Sequence, residues 1–172
     1  QERTSLPTPT VFGDLDVTFL NLPMLSSDYE DHVPFIAVHT NPWPGSISVI
    51  RMNSPYTEFS SVGRRAIVAE TFDPLERGPL GVWDDANSLV ITISSGQLTS
   101  VSDEALLYGE NAFAIETGSG GWEVFQAANA TLVGPNSYRL SRLLRGQRGT
   151  DGDMVDVVPE GARLIVLDTI SP

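Results

Sequence analysis

Three residue types are absent or scarce in this chain of 172 residues, which has no cysteine, no lysine and only two histidines. The lack of cysteine excludes disulfides and thiolate metal sites. His32 and His39 lie seven positions apart, a spacing that matches no usual zinc motif, so we expect structural or solvent-exposed histidines. No apolar run approaches the roughly 20 residues that cross a bilayer, and we expect no membrane insertion.

Positive charge is also scarce, because only ten arginines face 22 carboxylates and the formal net charge is −12 at pH 7. So acidic a surface repels phosphate backbones, and the sequence predicts no nucleic-acid partner. Hydrophobic residues make up 41% of the chain, enough to fill a core, while charged residues make up only 19%. With 15 glycines and 12 prolines, this balance is typical of many short strands joined by turns.

Short apolar or alternating segments predict strands at 15–20, 46–52, 64–70, 88–94 and 163–168. The segments 112–117 and 122–127 flank the sequence "GSGG" and predict a hairpin, because glycines supply the positive φ of a tight reversal. Helix signals are few. The best is "SDEALLYG", 102–109, in which Ser102 can cap the first turn and Gly109 can end the helix.

The predicted fold class is therefore all-β, with sandwich or barrel-like lobes and one or two short helices. The segment 71–81 holds two prolines, two glycines and no periodicity, which indicates a break in the chain. We predict one β-rich lobe over residues 1–77 and a second over 78–172. The alternative is that both pack as one unit.

Positive charge concentrates in "YRLSRLLRGQRGTDG", residues 138–152. Four arginines recur there at intervals of three: Arg139, Arg142, Arg145 and Arg148. The leucines fit a helical stripe ending at Gly146, whereas a strand would place Tyr138, Leu140, Arg142 and Leu144 on one face. The sequence leaves both structures open.

Catalytic signals are weak throughout. The chain has no G-x-S-x-G elbow and no glycine-rich phosphate cradle. Carboxylate pairs such as Asp84 and Asp85 arise by chance in so acidic a protein. The segment "DGDMVD", 151–156, is either a solvated turn or a calcium loop lacking several ligands. We therefore predict no catalytic residue, no cofactor and no metal site.

Aromatic residues offer one candidate binding position. Trp43 lies between two prolines in "NPWPG", where it is either a plug beneath a loop or a platform for a glycan. Trp83, Trp122 and Tyr138 follow strand-like patterns, and we expect them in the core.

Two gapped patterns in the second half are specific. "SVSDEALL-GEN" is followed by "WE-FQ-A-A-LVGP--Y-LSRLLRG-RGT", together covering residues 96–150. This region resembles the C-terminal part of the large baseplate or tail-tip protein of gene transfer agents and related siphophages. That protein often carries a glycoside-hydrolase-like barrel as a separate domain, and nothing in this chain resembles that barrel.

The resemblance implies a non-catalytic structural module of a phage-like tail tip or baseplate that contributes to recipient-cell contact. Its partners would be other subunits or domains of the tail, including copies of itself in a homo-oligomer. It would be made in the bacterial cytoplasm and reside in the particle tail. Two alternatives stay open: a carbohydrate-binding module for cell-surface glycan, and a fragment of a tail-associated glycan hydrolase.

For the arginine segment we hypothesise a structural clamp. Guanidinium groups bind carboxylates in bidentate fashion, and this acidic chain offers many internal partners. The clamp would pack Leu140, Leu143 and Leu144 into the core, while some of the arginines would face a neighbouring subunit.

Overall fold

A computed structural model describes residues 10–23, 34–52, 57–118 and 120–170. The first four strands are β1 (Asp16–Leu20), β2 (Phe35–His39), β3 (Ile47–Arg51) and β4 (Thr57–Val62). There follow β5 (Val68–Thr71), β6 (Leu75–Glu76), β7 (Asp84–Ile93), helix α1 (Asp103–Leu107), β8 (Ala112–Glu116), β9 (Trp122–Gly134), β10 (Ser137–Gln147), β11 (Val157–Val158) and β12 (Arg163–Val166). Short 3-10 turns occupy Asp151–Asp153 and Leu167–Thr169. The predicted all-β class is confirmed.

Six strands close into an antiparallel barrel in the order β10, β7, β5, β12, β8 and β9. Its interior is filled by apolar side chains that alternate along each strand, as Leu89, Ile91 and Ile93 do on β7. Phe113 and Phe125 stack inside it with their ring centroids 5.4 Å apart. Closure leaves none of these six strands at an unpaired edge of the sheet.

The segment 138–147 is a strand, because its first residues alternate cleanly between buried and exposed. Tyr138 and Leu140 point into the barrel and Arg139 points out. A β-bulge then shifts the register between Ser141 and Leu143. A bulge inserts one residue and reverses which side chains face inward, so the strand prediction that placed Arg142 and Leu144 with Tyr138 was wrong.

Downstream of that bulge, Leu143 and Arg145 point inward and are buried, whereas Leu144 is only half-buried. Arg142 itself sits at the bulge with φ of 56°. Gly146 follows with φ of 57°, in the left-handed region that glycine adopts without strain.

Two further elements form where short sequence motifs predicted them. Strands β8 and β9 pair antiparallel around the "GSGG" segment, as predicted. Helix α1 begins after Ser102, whose hydroxyl accepts a hydrogen bond from the Ala105 N–H. The buried Gln126 amide donates to the carbonyls of Leu106 and Glu110, which fixes the end of this short helix against the barrel.

Two ribbons lie outside the barrel in successive layers. The β1–β2 ribbon packs Leu20, Phe35 and Ala37 against barrel residues such as Ile165. The opposite face of β2 is covered by the β3–β4 ribbon through a second, smaller cluster. Side chains on both faces of β2 are therefore buried, which explains its continuous apolar sequence "FIAV".

The predicted division at residue 77 crosses several pairings. Strand β5 lies before it and completes the barrel between β7 and β12. Strand β6 also lies before it and pairs with β11. No helix within the described ranges is both long and apolar enough to cross a membrane.

Candidate functional site

The strand β10 carries an arginine into the interior of the protein. Arg145 is only 1% exposed, and its guanidinium forms two parallel bonds with the carboxylate of Glu123 on the neighbouring strand β9. These bonds join Nε to Oε1 at 2.7 Å and Nη2 to Oε2 at 2.8 Å. This bidentate, charge-assisted geometry is the strongest form of arginine–carboxylate pairing.

The third guanidinium nitrogen of Arg145 is also bonded. Its Nη1 donates to the Glu76 carbonyl at 2.9 Å and lies 3.5 Å from Oδ2 of the buried Asp84. Asp84 in turn accepts hydrogen bonds from the backbone N–H and side-chain amide of Asn87. We call Arg145, Glu123 and Asp84 the buried triad. It unites β10, β9 and β7 within the barrel.

The backbone around the buried triad is closely fitted. The Gly146 N–H donates to Glu123 Oε1 at 3.2 Å. A Cβ at Gly78 would clash with the Asp84 carboxylate and would lie 2.8 Å from Arg145 Cγ. Only glycine therefore allows the chain to pass so near the triad. Throughout the described residues every buried side-chain nitrogen and oxygen has a hydrogen-bond partner.

Three residues earlier, Arg142 forms a second cluster at the surface. Its Nε and Nη2 donate to the Asp103 carboxylate of α1 at 3.0 and 2.7 Å, and Nη1 lies 3.4 Å from Asp85 Oδ1. The guanidinium carbon stands 4.3 Å from the ring centroid of Trp83, which is half-buried. Those hydrogen bonds lower the pKa of the Asp103 carboxyl and raise the pKa of Arg142.

The other two arginines of the segment behave differently. Arg139 and Arg148 are exposed, and within the described part of the chain neither forms an ion pair with a carboxylate. Arg148 also has a positive φ of 60°, beside Gly149 at 79°. The structure thus divides the run into two arginines bound within the fold and two that face solvent.

The aromatic candidates also differ in how deeply they are buried. Trp122 and Tyr138 are buried in the core, as predicted, whereas Trp83 was also expected there and is only half-buried beneath Arg142. Trp43 is half-buried and packs against the cluster of Ile36, Val38 and Val62 beneath the β2–β3 loop. Its remaining surface lines a shallow groove.

Two residues of the buried triad were missed in the sequence. Glu123 lies within the apolar run "WEVF", all of which is buried. A carboxylate in such a run requires a buried partner, and that signal was available. Asp84 was considered only as a pair with Asp85, whereas the structure assigns the two to different arginines.

Groups suited to metal binding are not assembled in the described ranges, where no cluster of three histidine or acidic side chains occurs. The His39 ring Nδ1 lies 3.2 Å from the Ala66 carbonyl and 3.3 Å from the Ser94 hydroxyl, a structural role. His32 lies outside the described residues. That the segment 151–156 is a solvated turn without a metal stays a prediction.

Comparison with known proteins adds one match. A family model described as "Rcc01698-like, C-terminal" matches residues 66–165, more than half of the chain. The matched range begins just before β5 and ends within β12, so it contains all six barrel strands except the last residue of β12, together with both arginine clusters. No curated protein matches the chain.

Proposed function

The chain therefore belongs to the Rcc01698-like C-terminal family, and on that premise we propose that it is a non-catalytic structural module in the tail tip or baseplate of a phage-like particle. The family name is related to gene transfer agents. The motif that suggests the tail-tip assignment, "LSRLLRGQRGT", lies wholly inside the matched range.

The observation that carries this proposal is the burial and internal pairing of Arg145. Its guanidinium is buried, and its bonds go to a carboxylate and a carbonyl of the same chain. A group so enclosed offers no donor to a substrate. The central arginine of the motif thus joins three strands, which is the role of a residue that maintains architecture.

A surface for assembly lies on the outer ribbon. The β1–β2 register places Val17 opposite Val38 and Phe19 opposite Ile36, on the face that β3–β4 covers. That cover reaches β2 but leaves much of β1 exposed, including 60% of Phe19. Leu15 and Phe12, just before β1 in the chain, are exposed as well, and we call these four residues the β1 ledge. Exposed apolar rows of this kind are typical of protein interfaces.

In this proposal the β1 ledge contacts another subunit or domain of the tail, or a second copy of this chain. The acidic surface makes nucleic acid an unsuitable partner, since a net charge of −12 repels phosphate. The protein is made in the bacterial cytoplasm and reaches its place by incorporation into the particle. Exposed loops at the tail tip then contribute to contact with the recipient cell.

Labelled particles test the proposal. An epitope inserted at the β8–β9 turn, detected with gold-coupled antibody by electron microscopy, is expected at the distal end of the tail. In a second arm, Val17→Asp with Phe19→Asp is expected to reduce incorporation of the chain into particles while leaving the melting temperature of the isolated protein nearly unchanged. Thr131→Asp, at an exposed position of β9, is the matched control. Particles without label, or label on the capsid, would overturn the assignment.

A further inference from the structure

An open groove of about 360 Å³ lies between the outer ribbons and one end of the barrel. Four separate connections line it. They contribute Trp43 from the β2–β3 loop, Arg64 and Arg65 from the segment between β4 and β5, Ser95 from the turn after β7, and Thr169 after β12. An aromatic ring, two guanidinium groups and hydroxyls therefore converge on one concave surface.

The two arginines in this groove are not neutralised by ion pairs. Arg64 donates to the Asp168 main-chain carbonyl at 2.8 Å, and Arg65 lies 3.5 Å from the side-chain oxygen of Asn41. Among the described residues, no carboxylate oxygen lies within ion-pair distance of either group. This contrasts with Arg142, Arg145 and Arg163, which all bind carboxylates.

The carboxyl of Asp168 interacts electrostatically with Arg64 of the groove. Burial, and then repulsion by Glu110, raise the pKa of the Asp168 carboxyl, whereas a hydrogen bond with the Asn111 backbone and attraction by Arg64 act in the opposite direction. The groove thus holds two guanidinium groups that form no ion pair with a carboxylate of the described residues, in a protein whose overall charge is −12. A local excess of guanidinium groups in an acidic protein favours a small anion over a large polyanion.

The ring of Trp43 favours a ligand with an apolar face. Part of its ring is fixed against Ile36, Val38 and Val62, and the rest lines the groove. An indole held in this way presents a flat, preorganised apolar surface. Sugar rings stack on such surfaces through their C–H faces, while guanidinium groups bind carboxylates in bidentate fashion.

We propose that this groove binds a carboxylate-bearing sugar, a single uronic acid residue of a glycan. Arg64 and Arg65 bind the carboxylate, Trp43 supports the apolar face of the ring, and Ser95 is within the same groove to bond a ring hydroxyl. The inference does not rest on the tail-tip assignment, because it concerns only the groove of the isolated chain.

Calorimetric titration of the 172-residue chain tests the site with trigalacturonate and an alginate trisaccharide as probes. At least one of these is expected to bind, and maltotriose, which has the same size but no carboxylate, is expected to bind at least about tenfold more weakly. Citrate and inorganic phosphate serve as anions without a sugar ring and are expected to bind at least about tenfold more weakly as well.

Three variants assign the contacts. Arg64→Gln with Arg65→Gln, and separately Trp43→Leu, are each expected to weaken uronate binding about tenfold or more. Leucine keeps the apolar plug on Val38 and Val62 but removes the flat ring. Arg139→Gln removes an exposed arginine elsewhere and is expected to leave binding unchanged. Melting curves establish that each variant is folded.

Three titration results would each overturn the proposal or part of it. Equal binding of citrate or phosphate would reduce the site to a simple anion site and overturn the sugar assignment. Binding of maltotriose with equal affinity would show that the arginines do not recognise a carboxylate, and would overturn the uronic acid assignment. Failure of both uronate probes to bind at about 10 mM would reject the site altogether.

Discussion

Arg142 and Arg145 lie three residues apart on one strand and bind carboxylates with nearly the same geometry. Each forms a bidentate pair with distances between 2.7 and 3.0 Å. Their surroundings differ completely. The side chains of Arg145 and Glu123 are 1% and 0% exposed, whereas those of Arg142 and Asp103 are 34% and 52% exposed.

The comparison shows why bond geometry alone does not determine how much an ion pair contributes to stability. Water screens the Arg142 pair, and such surface pairs contribute little to stability. The buried triad has no water to replace a lost partner, so removing one member leaves a charge stranded in the interior. The β-bulge at Arg142 creates this difference, because it turns Arg145 inward and Arg142 outward.

The largest expected effect comes from Arg145→Met. This change keeps most of the side-chain volume but leaves Glu123 and Asp84 buried without their cation. We expect the free energy of unfolding to fall by about 3–5 kcal/mol, measured by chemical denaturation. A fall close to zero would show that the buried triad does not hold the three strands together.

A double-mutant cycle sharpens that measurement. Glu123→Gln removes the opposing charge with little change in shape. The double variant Arg145→Met with Glu123→Gln is expected to lose less stability than the sum of the two single changes, because no unpaired Glu123 charge remains. Strict additivity would contradict direct coupling between the two groups.

A smaller effect is expected from Arg142→Asn. Asparagine tolerates the positive φ of 56° at this position, so the change removes the guanidinium without adding backbone strain. We expect the loss of stability to be less than about a quarter of that of Arg145→Met, and to shrink further in high salt. A loss equal to that of Arg145→Met would invalidate the distinction between the two environments.

The smallest effects concern pH, and two aspartates should respond with opposite signs. The pKa of Asp103 is lowered by its hydrogen bonds to Arg142, so its contribution is present at neutral pH and is lost as pH falls below about 3.8. The pKa of Asp168 is raised, chiefly by burial and then by Glu110, so its ionised form costs stability as pH rises above about 3.8.

At pH 7 we therefore expect Asp103→Asn to lower the melting temperature and Asp168→Asn to raise it. Both differences from the parent protein should diminish as the pH falls below about 3.8, where the carboxyls are protonated in the unfolded chain. Thermal melts at a series of pH values measure this. Shifts of the same sign at pH 7 would disprove the assigned directions.

Features governed by neighbouring residues were predictable. The hydroxyl of Ser102 caps α1, and the glycines after Glu116 reverse the chain between β8 and β9. Trp43 was identified as a candidate contact because its position between prolines is a local property. Arg64 and Arg65 were not, since they precede the apolar strand β5 and share a groove with Trp43 only because the fold brings four separate connections together.

The bulge in β10 could not be predicted, because the alternation of apolar and polar residues does not show where an extra residue enters the strand pairing. Without it, Leu144 would face the core in place of Leu143. The partners of Arg145 were beyond prediction for a related reason. Glu123 and Asp84 stand 22 and 61 positions away in the chain, and only barrel closure brings them together.

The amino-acid sequence by itself determined that this protein is built of β-strands, where the chain turns, and that an acidic chain concentrates four arginines in one segment. These are properties of spacing and side-chain type, expressed over a few residues. The tertiary structure alone decided which arginines enter the interior and which carboxylate each one binds. Electrostatic strength depends on exclusion of water, and water is excluded only when distant strands close around a charge.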